Sequence, residues 1–387
     1  MEQSIIKVYD MNCMQMRTWA EISLKNIEHN YKAMKARLGE GTRFLGVVKA
    51  DAYGHGAMQV AGLLQELGCD YLGVACLDEA LALRGNGIRL PILIMGYTSP
   101  EFTPVLLEQN LTQTVYDIET AKLFSAVASG LGKALRVHLK ADSGMGRLGF
   151  ACHGGRDPES EMLQVLRLPN LRPEGIFTHF AVSDSCGDAF TEQQFKAFRE
   201  LVGRLEKSAN VKFEIKHCAN SGAMINYDWS YIDMVRPGLM LYGHYPAKET
   251  GGITLRPAME LKTRIAQLKE LEAGDTVSYG RIYTAPFKRR IAAITIGYAD
   301  GLHRVLSGKI DVLIRGRRAP QVGRICMDMC MVDVTAVPDA AVGDTVTIFG
   351  RDGGEYISVD ELADLAGTVS WELLCAVSPR VPRVYLP

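Results

Sequence analysis

Between residues 44 and 243 the chain alternates short apolar runs with segments of helical period. The runs fall at 44–50, 71–76, 92–97, 111–117, 134–142, 175–181, 213–219 and 234–243, which is the strand number a (β/α)8 barrel requires. Between them, 58–68, 118–130 and 192–209 place apolar residues at helical spacing, with Thr191 where an N-cap of the last would stand. Alternation of this kind predicts an α/β fold, a parallel sheet wrapped by helices. The pattern alone leaves a doubly wound open sheet as the rival architecture.

Beyond about Pro246 the texture changes. Extended, β-branched stretches at 262–268, 291–296, 310–314, 331–334 and 345–349 are separated by turns such as Glu272-Ala-Gly274-Asp275, and 360–366 reads as a short helix. The segment 248–252 is polar and glycine-bearing, as linkers are. The expected organisation is a barrel over 14–248, followed by a mainly β domain over 249–387 that also takes in 1–13.

Composition narrows the function. The 387 residues are 47% hydrophobic and 22% charged, ordinary for a globular protein, and 43 basic against 44 acidic residues leave a formal charge of −1. No like-charge block makes an electrostatic case for nucleic acid or an anionic membrane, so a small-molecule partner is expected. Nine cysteines at irregular spacing suit reduced thiols in the cytosol. Cys326 and Cys330 have too few potential ligands around them for a metal site, and none is expected. The first residues have no signal-peptide core, and no apolar stretch approaches the ~20 residues that span a bilayer, so a soluble, cytoplasmic chain is expected.

The most informative segment is Phe44-Leu-Gly-Val-Val-Lys49-Ala-Asp-Ala-Tyr53-Gly-His55-Gly56. It puts a lysine where a buried strand runs out into a glycine-punctuated loop. Burial disfavours the ammonium, and a neutral amine is a nucleophile toward carbonyls, suited to Schiff-base chemistry. In a barrel the active site is built on the C-terminal ends of the strands. There the fifth run leads to Lys140-Ala-Asp142-Ser143-Gly144-Met145-Gly146-Arg147, the sixth carries His179, the seventh ends at Asn220-Ser221-Gly222, and the eighth holds Arg236-Pro-Gly238-Leu239. Each has a plain structural alternative, as a core histidine, a salt-bridge partner or a turn. Their common position at one rim favours a site. Ser221 and Gly238 follow the last two strands, where barrels frequently hold phosphate. A phosphate and a Schiff-base lysine together imply pyridoxal phosphate.

The chain resembles the alanine racemases, fold-type III pyridoxal-phosphate enzymes, over nearly its whole length. The matching motifs are Val48-Lys49-Ala-Asp-Ala-Tyr53-Gly-His-Gly56, Lys140 to Arg147, Thr178-His179-Phe180, Ala219-Asn220-Ser221, Val235-Arg236-Pro-Gly238, Val277-Ser-Tyr279-Gly280, Gly297-Tyr298-Ala-Asp-Gly301 and Val322-Gly-Arg324-Ile-Cys-Met327-Asp328. The resemblance implies an isomerase that makes D-alanine, a cell-wall precursor, in a homodimer with shared active sites. Lys49 would hold the cofactor and act as base on one face of the substrate, with Tyr279 of the other subunit as base on the opposite face. His179, linked to Arg236, would lend the tyrosine the positive charge that favours its phenolate, and Arg236 would face the pyridine nitrogen. Tyr53, Ser221, Gly238 and Leu239 match phosphate contacts. Arg147, with Met327 and Asp328 of the partner subunit, matches the substrate-binding set. Lys140 matches a lysine that is often carbamylated. Tyr298, Arg304, Arg324, His217 and Asp184 match the route by which substrate enters.

Two departures stand out. Where the family usually has a tyrosine contacting phosphate, this chain has Trp371, which makes serine an alternative to alanine as substrate. Asp184 is followed by Ser185 rather than by an acidic residue.

Overall fold

A computed structural model describes residues 16–247 and 249–387. It divides into two compact units, one of residues Leu24–Pro257 and the other of Ala258–Pro387 with the described residues before Leu24.

The first unit is a closed parallel barrel. Its strands are β1 (Arg43–Val47), β2 (Tyr71–Val74), β3 (Ile92–Ile94), β4 (Thr112–Val115), β5 (Leu135–Asp142), β6 (Leu171–Phe177), β7 (Ile215–His217) and β8 (Met234–Val235). Each pairs with its neighbours in parallel, β8 returns to β1, and β4 pairs with β5, so no edge is left open. That closure decides between the two architectures the pattern allowed. All eight apolar runs became strands, two with a change. β6 starts four residues ahead of the run at 175, its first half being the polar Leu171-Arg-Pro-Glu174. β8 is only two residues long, because Pro237 and Gly238 break it and the remaining apolar residues form a buried helical turn, Leu239–Tyr242. Leu45, Val47, Tyr71, Leu93, Ile215 and Met234 pack together inside, with Tyr53 and Met95 against them.

Helices cover the barrel, and their ends follow local chemistry. Asp117 caps Ile118–Gly130 by accepting the Thr120 N–H. The helix expected to open after Thr191 runs over Ala189–Ala209 and is capped by Asp188, whose carboxylate accepts the Phe190 N–H. Thr191 is fully buried inside it.

The second unit is one nine-stranded sheet, in the order Glu355–Ile357, Thr345–Asp352, Asp311–Ile314, Arg317–Val322, Cys330–Asp333, Arg289–Ile294, Met259–Leu271, Thr18–Ser23 and Arg383–Leu386. Thr345–Asp352 also pairs with Met259–Leu271, so six of these strands close into a ring. Met259–Leu271 spans 13 residues and takes a register shift between Ile265 and Gln267 within its pairing with Arg289–Ile294. The unit boundaries differ from the expected 14 and 248, because Thr18–Ser23 pairs antiparallel with Met259–Leu271 and parallel with Arg383–Leu386. The expectation for residues 1–13 lies outside the described residues. The described cysteines are all free, and among the described residues no group of side chains could hold a metal ion. Among the described residues no helix is long and apolar enough to cross a membrane.

Candidate active site

Lys49 follows β1 directly, and the chain beyond it turns the wrong way. Ala50, Asp51, Ala52 and Tyr53 have φ of 52, 53, 53 and 53°, a left-handed turn that costs ~1–2 kcal/mol per residue. Fixed acceptors hold it. The Ala50 N–H donates to Glu79 Oε1 at 2.6 Å, while the Ala75 N–H donates to Glu79 Oε2 at 2.7 Å. Asp51 Oδ1 accepts the Ala57 N–H at 2.7 Å. Gly54, with φ of 80°, closes the turn. Local strain concentrated next to a reactive lysine is a mark of functional sites.

The loops after β1, β6, β7 and β8 converge at this rim. Ser221 Oγ accepts the Gly238 N–H at 3.0 Å, joining the loop after β7 to that after β8. A Cβ on Gly238 would lie 2.5 Å from Tyr53 Oη, and one on Gly222 would lie 2.9 Å from the backbone of Ser183 and Asp184. Gly222 needs glycine because backbone already fills the space, whereas a side chain at Gly238 would have to displace the Tyr53 phenol. Leu239 is buried beside Gly238.

Arg236 lies beneath this rim, only 4% exposed. Its Nη1 donates to His217 Nδ1 at 2.9 Å, and its Nη2 donates to Thr178 O at 2.8 Å and more weakly to His179 Nδ1 at 3.5 Å. Burial pushes its pKa down to about 10, which leaves it a cation at neutral pH. Burial, and then the charge of Arg236, hold His179 well below the ordinary imidazole range. His179 is therefore neutral, and the positive charge expected of it belongs to Arg236. The expected place of His217 on an entry route also fails, since it is fully buried in the barrel.

Lys140 and Arg147 flank a loop organised by Asp142. That carboxylate accepts the N–H groups of Gly144, Met145 and Gly146 at 3.0, 2.8 and 3.1 Å. Although burial alone would raise its pKa, these bonds and Lys140 bring it down. Arg147 stands exposed at the end of the loop. Lys140 is 6% exposed, donates to Ala141 O at 3.0 Å, and is pushed down to about 7 by burial and by Arg236.

The remaining expected residues lie in the second unit. Tyr279 is 69% exposed on a turn whose backbone is also left-handed at Ser278, Gly280 and Arg281 (φ of 64, 71 and 50°). Ser278 Oγ donates to Arg324 O at 2.7 Å, and the N–H groups of Tyr298 and Ala299 donate to the carbonyls of Cys326 and Met327 at 3.0 Å each. The turns bearing Tyr279, Tyr298 and Met327 are thereby tied together. Tyr298 and Met327 are exposed. Asp328 accepts from Arg380 at 2.6 Å, so its carboxylate anchors this loop and is not a group to receive another carboxylate. Trp371 lies half-exposed on the helix Ser370–Ala376.

The sequence reading missed Glu79, the acceptor for the lysine turn, and the buried pair His138 and Glu174 that meets His217 inside the barrel. A signal existed for two of them: His138 shares the polar phase of the alternating strand Leu135–Asp142 with Lys140 and Asp142, and Glu174 sits beside a glycine in β6.

A lysine and a glycine-lined cradle at the C-terminal rim of a barrel, followed by a β unit, mark an enzyme, and its relatives are amino-acid isomerases. Residues 22–246 match the family described as "Alanine racemase, N-terminal domain", and 258–385 match "Alanine racemase, C-terminal domain". The chain belongs to the alanine racemase family. It is 46% identical to the alanine racemase of Desulfosudis oleivorans over 95% of this chain and 96% of that one. It is 47% identical to that of Desulfovibrio desulfuricans, over 95% and 98% respectively. Among solved structures it superposes on alanine racemase from Clostridium difficile 630 with a TM-score of 0.91 at 41% identity, covering 96% of each chain. On the Bacillus anthracis alanine racemase with bound L-Ala-P the TM-score is 0.90 at 35% identity, over 96% of this chain and 95% of that one.

Proposed function

We propose that the protein interconverts L- and D-alanine with pyridoxal phosphate bound at the barrel rim. The observation that carries this reading is the convergence at one rim of Lys49, the Tyr53–Gly238–Ser221 cradle and buried Arg236. The donor set fits the cofactor: an amine for its aldehyde, backbone N–H groups and hydroxyls for its phosphate, and a permanent cation for its ring nitrogen. When bound, the cofactor supplies an electron-withdrawing ring that acidifies the Cα–H of an attached amino acid.

The protein's own groups do the rest. Arg236 would face the ring nitrogen as a donor that does not surrender its proton, so the bound group would act as a weaker electron sink and side reactions would be disfavoured. Lys49 Nζ takes or returns the Cα proton on one face. Tyr279 of the partner subunit does so on the other, which inverts the centre without turning the substrate over. Arg147 holds the substrate carboxylate with the Met327 N–H of the partner subunit. Lys140 takes up carbon dioxide through its neutral amine, releasing a proton, and the resulting carbamate orients Arg147. The exposed Tyr279 turn fits a homodimer in which each site draws on both subunits. The L-Ala-P held by the Bacillus anthracis relative supports a small amino acid as substrate.

Serine is the alternative substrate, because at Trp371 the indole offers its one donor from a different place than a phenol would and has a larger body. The test is α-proton exchange in deuterated water across L- and D-alanine and serine with added cofactor. Exchange of alanine is expected, and its absence from both alanine and serine would overturn the reading.

A further inference from the structure

The barrel interior holds a run of polar side chains with no place in the cradle or the substrate contacts. His217 Nε2 lies 2.9 Å from His138 Nδ1, and His138 Nε2 lies 3.3 Å from Glu174 Oε2. The same carboxylate oxygen accepts from Tyr71 Oη at 2.8 Å, and Tyr71 Oη is 2.7 Å from Thr112 Oγ1. Tyr71 and Thr112 open β2 and β4, so the run crosses the barrel from Arg236 at the C-terminal rim toward the opposite mouth. All of it is buried.

Proton placement along this run has one solution. A guanidinium only donates, so His217 Nδ1 accepts, and His217 carries its proton on Nε2. His138 Nδ1 must then accept, which leaves His138 with an Nε2–H directed at Glu174. The fold makes room for this arrangement. A register shift between Val137 and His138 re-aims the strand, and Gly175 faces His138 across the pairing. A Cβ on Gly175 would lie 2.7 Å from the imidazole. Burial lowers both histidines, while Glu174, raised by burial, is drawn down to about 2 by its bonds from His138 and Tyr71. The run is therefore a cation, two neutral imidazoles and an anion.

We propose that Glu174 is a positioning residue for Arg236, fixing the imidazole protons of His138 and His217 and thereby the orientation of the guanidinium and the field it projects. This rests on the reading that Arg236 meets the cofactor ring nitrogen.

The experiment compares wild-type protein with Glu174→Gln and Tyr71→Phe. Histidine-labelled 15N spectra are recorded on the full chain without cofactor, followed by the absorption spectrum and turnover of the loaded enzyme. Wild type should show His138 and His217 neutral with the proton on Nε2. Glu174→Gln should move both sets of resonances, shift the cofactor absorption band and lower kcat about tenfold with KM little changed, the lower end of what outer residues that orient a reactive group contribute. Tyr71→Phe, which removes a donor and strengthens the carboxylate as acceptor, should move the resonances the opposite way, and it serves if Glu174→Gln does not fold. Normal racemisation beside unmoved His217 resonances and an unmoved absorption band in either folded variant would overturn the relay alone. Wild type inert toward both alanine and serine would overturn the proposed function and this role together.

Discussion

Gly238 and Tyr53 exclude one another's growth: a methyl group on the first would sit 2.5 Å from the phenolic oxygen of the second and 3.1 Å from the ring carbon that bears it. Gly238→Ala should therefore leave the barrel folded but push Tyr53 out of the cradle, lowering cofactor affinity about tenfold, the equivalent of ~1.4 kcal/mol. Tyr53→Phe added to it removes the closer clash and should recover part of the loss. Equilibrium dialysis of pyridoxal phosphate against the three variants checks this.

The two proposed bases predict opposite handedness of failure. With Tyr279→Phe, racemisation should fall by about 10²–10⁴-fold, while α-proton exchange persists on the enantiomer whose proton faces Lys49. The substitution removes only the hydroxyl and keeps the ring, so the melting temperature should move little. Equal loss of exchange from both enantiomers would remove Tyr279 as the second base.

Lys140 ties stability to pH. Its pKa is pushed down to about 7 in the fold, against an ordinary 10.5 when unfolded. Between those values the unfolded chain binds the extra proton, so this group makes stability rise with pH across that window. In buffers free of carbon dioxide, Lys140→Met should remove that rise, and its advantage over wild type should be largest below pH 7 and shrink toward pH 10.5. Bicarbonate should raise the activity of wild type and leave Lys140→Met unchanged. Urea titrations at several pH values and assays with and without bicarbonate read both effects.

The left-handed turn after Lys49 stores strain that a glycine would not feel. Ala50 is exposed with φ of 52°, so Ala50→Gly deletes no packing. Relief of ~1–2 kcal/mol set against the entropy cost of glycine should leave the protein more stable by roughly 0.5 kcal/mol. A slightly higher urea midpoint with lower turnover would show that the strain serves the position of Lys49.

The barrel was legible because most of its strands are apolar runs bounded by punctuation, and the common rim of Lys49, Ser221, Arg236 and Gly238 was legible because all four follow strand ends. What escaped was nonlocal or unusual in texture. Arg317–Val322 reads as polar and basic, yet pairs on both sides in the β ring. Thr18–Ser23 gives no hint that its partners lie at 259–263 and 383–386. Nor does local pattern reveal that Glu79 reaches back to Ala50, or that His138 and Glu174 sit on paired strands. The lowered pKa of His179 depends on its surroundings and on the charge of Arg236 close by, which no spacing encodes.

The pairing of Thr18–Ser23 also sets a timetable. Its antiparallel partner, Met259–Leu271, is synthesised more than two hundred residues later, an interval of tens of seconds at ~5–20 residues per second. The entire barrel emerges from the ribosome in that time, with every one of its own strand partners present. The early strand must wait, both flanks unsatisfied, while the segment after it folds. Nascent chains that have released the barrel but not yet 259–271 should thus hold paired barrel strands beside an unpaired Thr18–Ser23, whose open backbone groups are a site for aggregation.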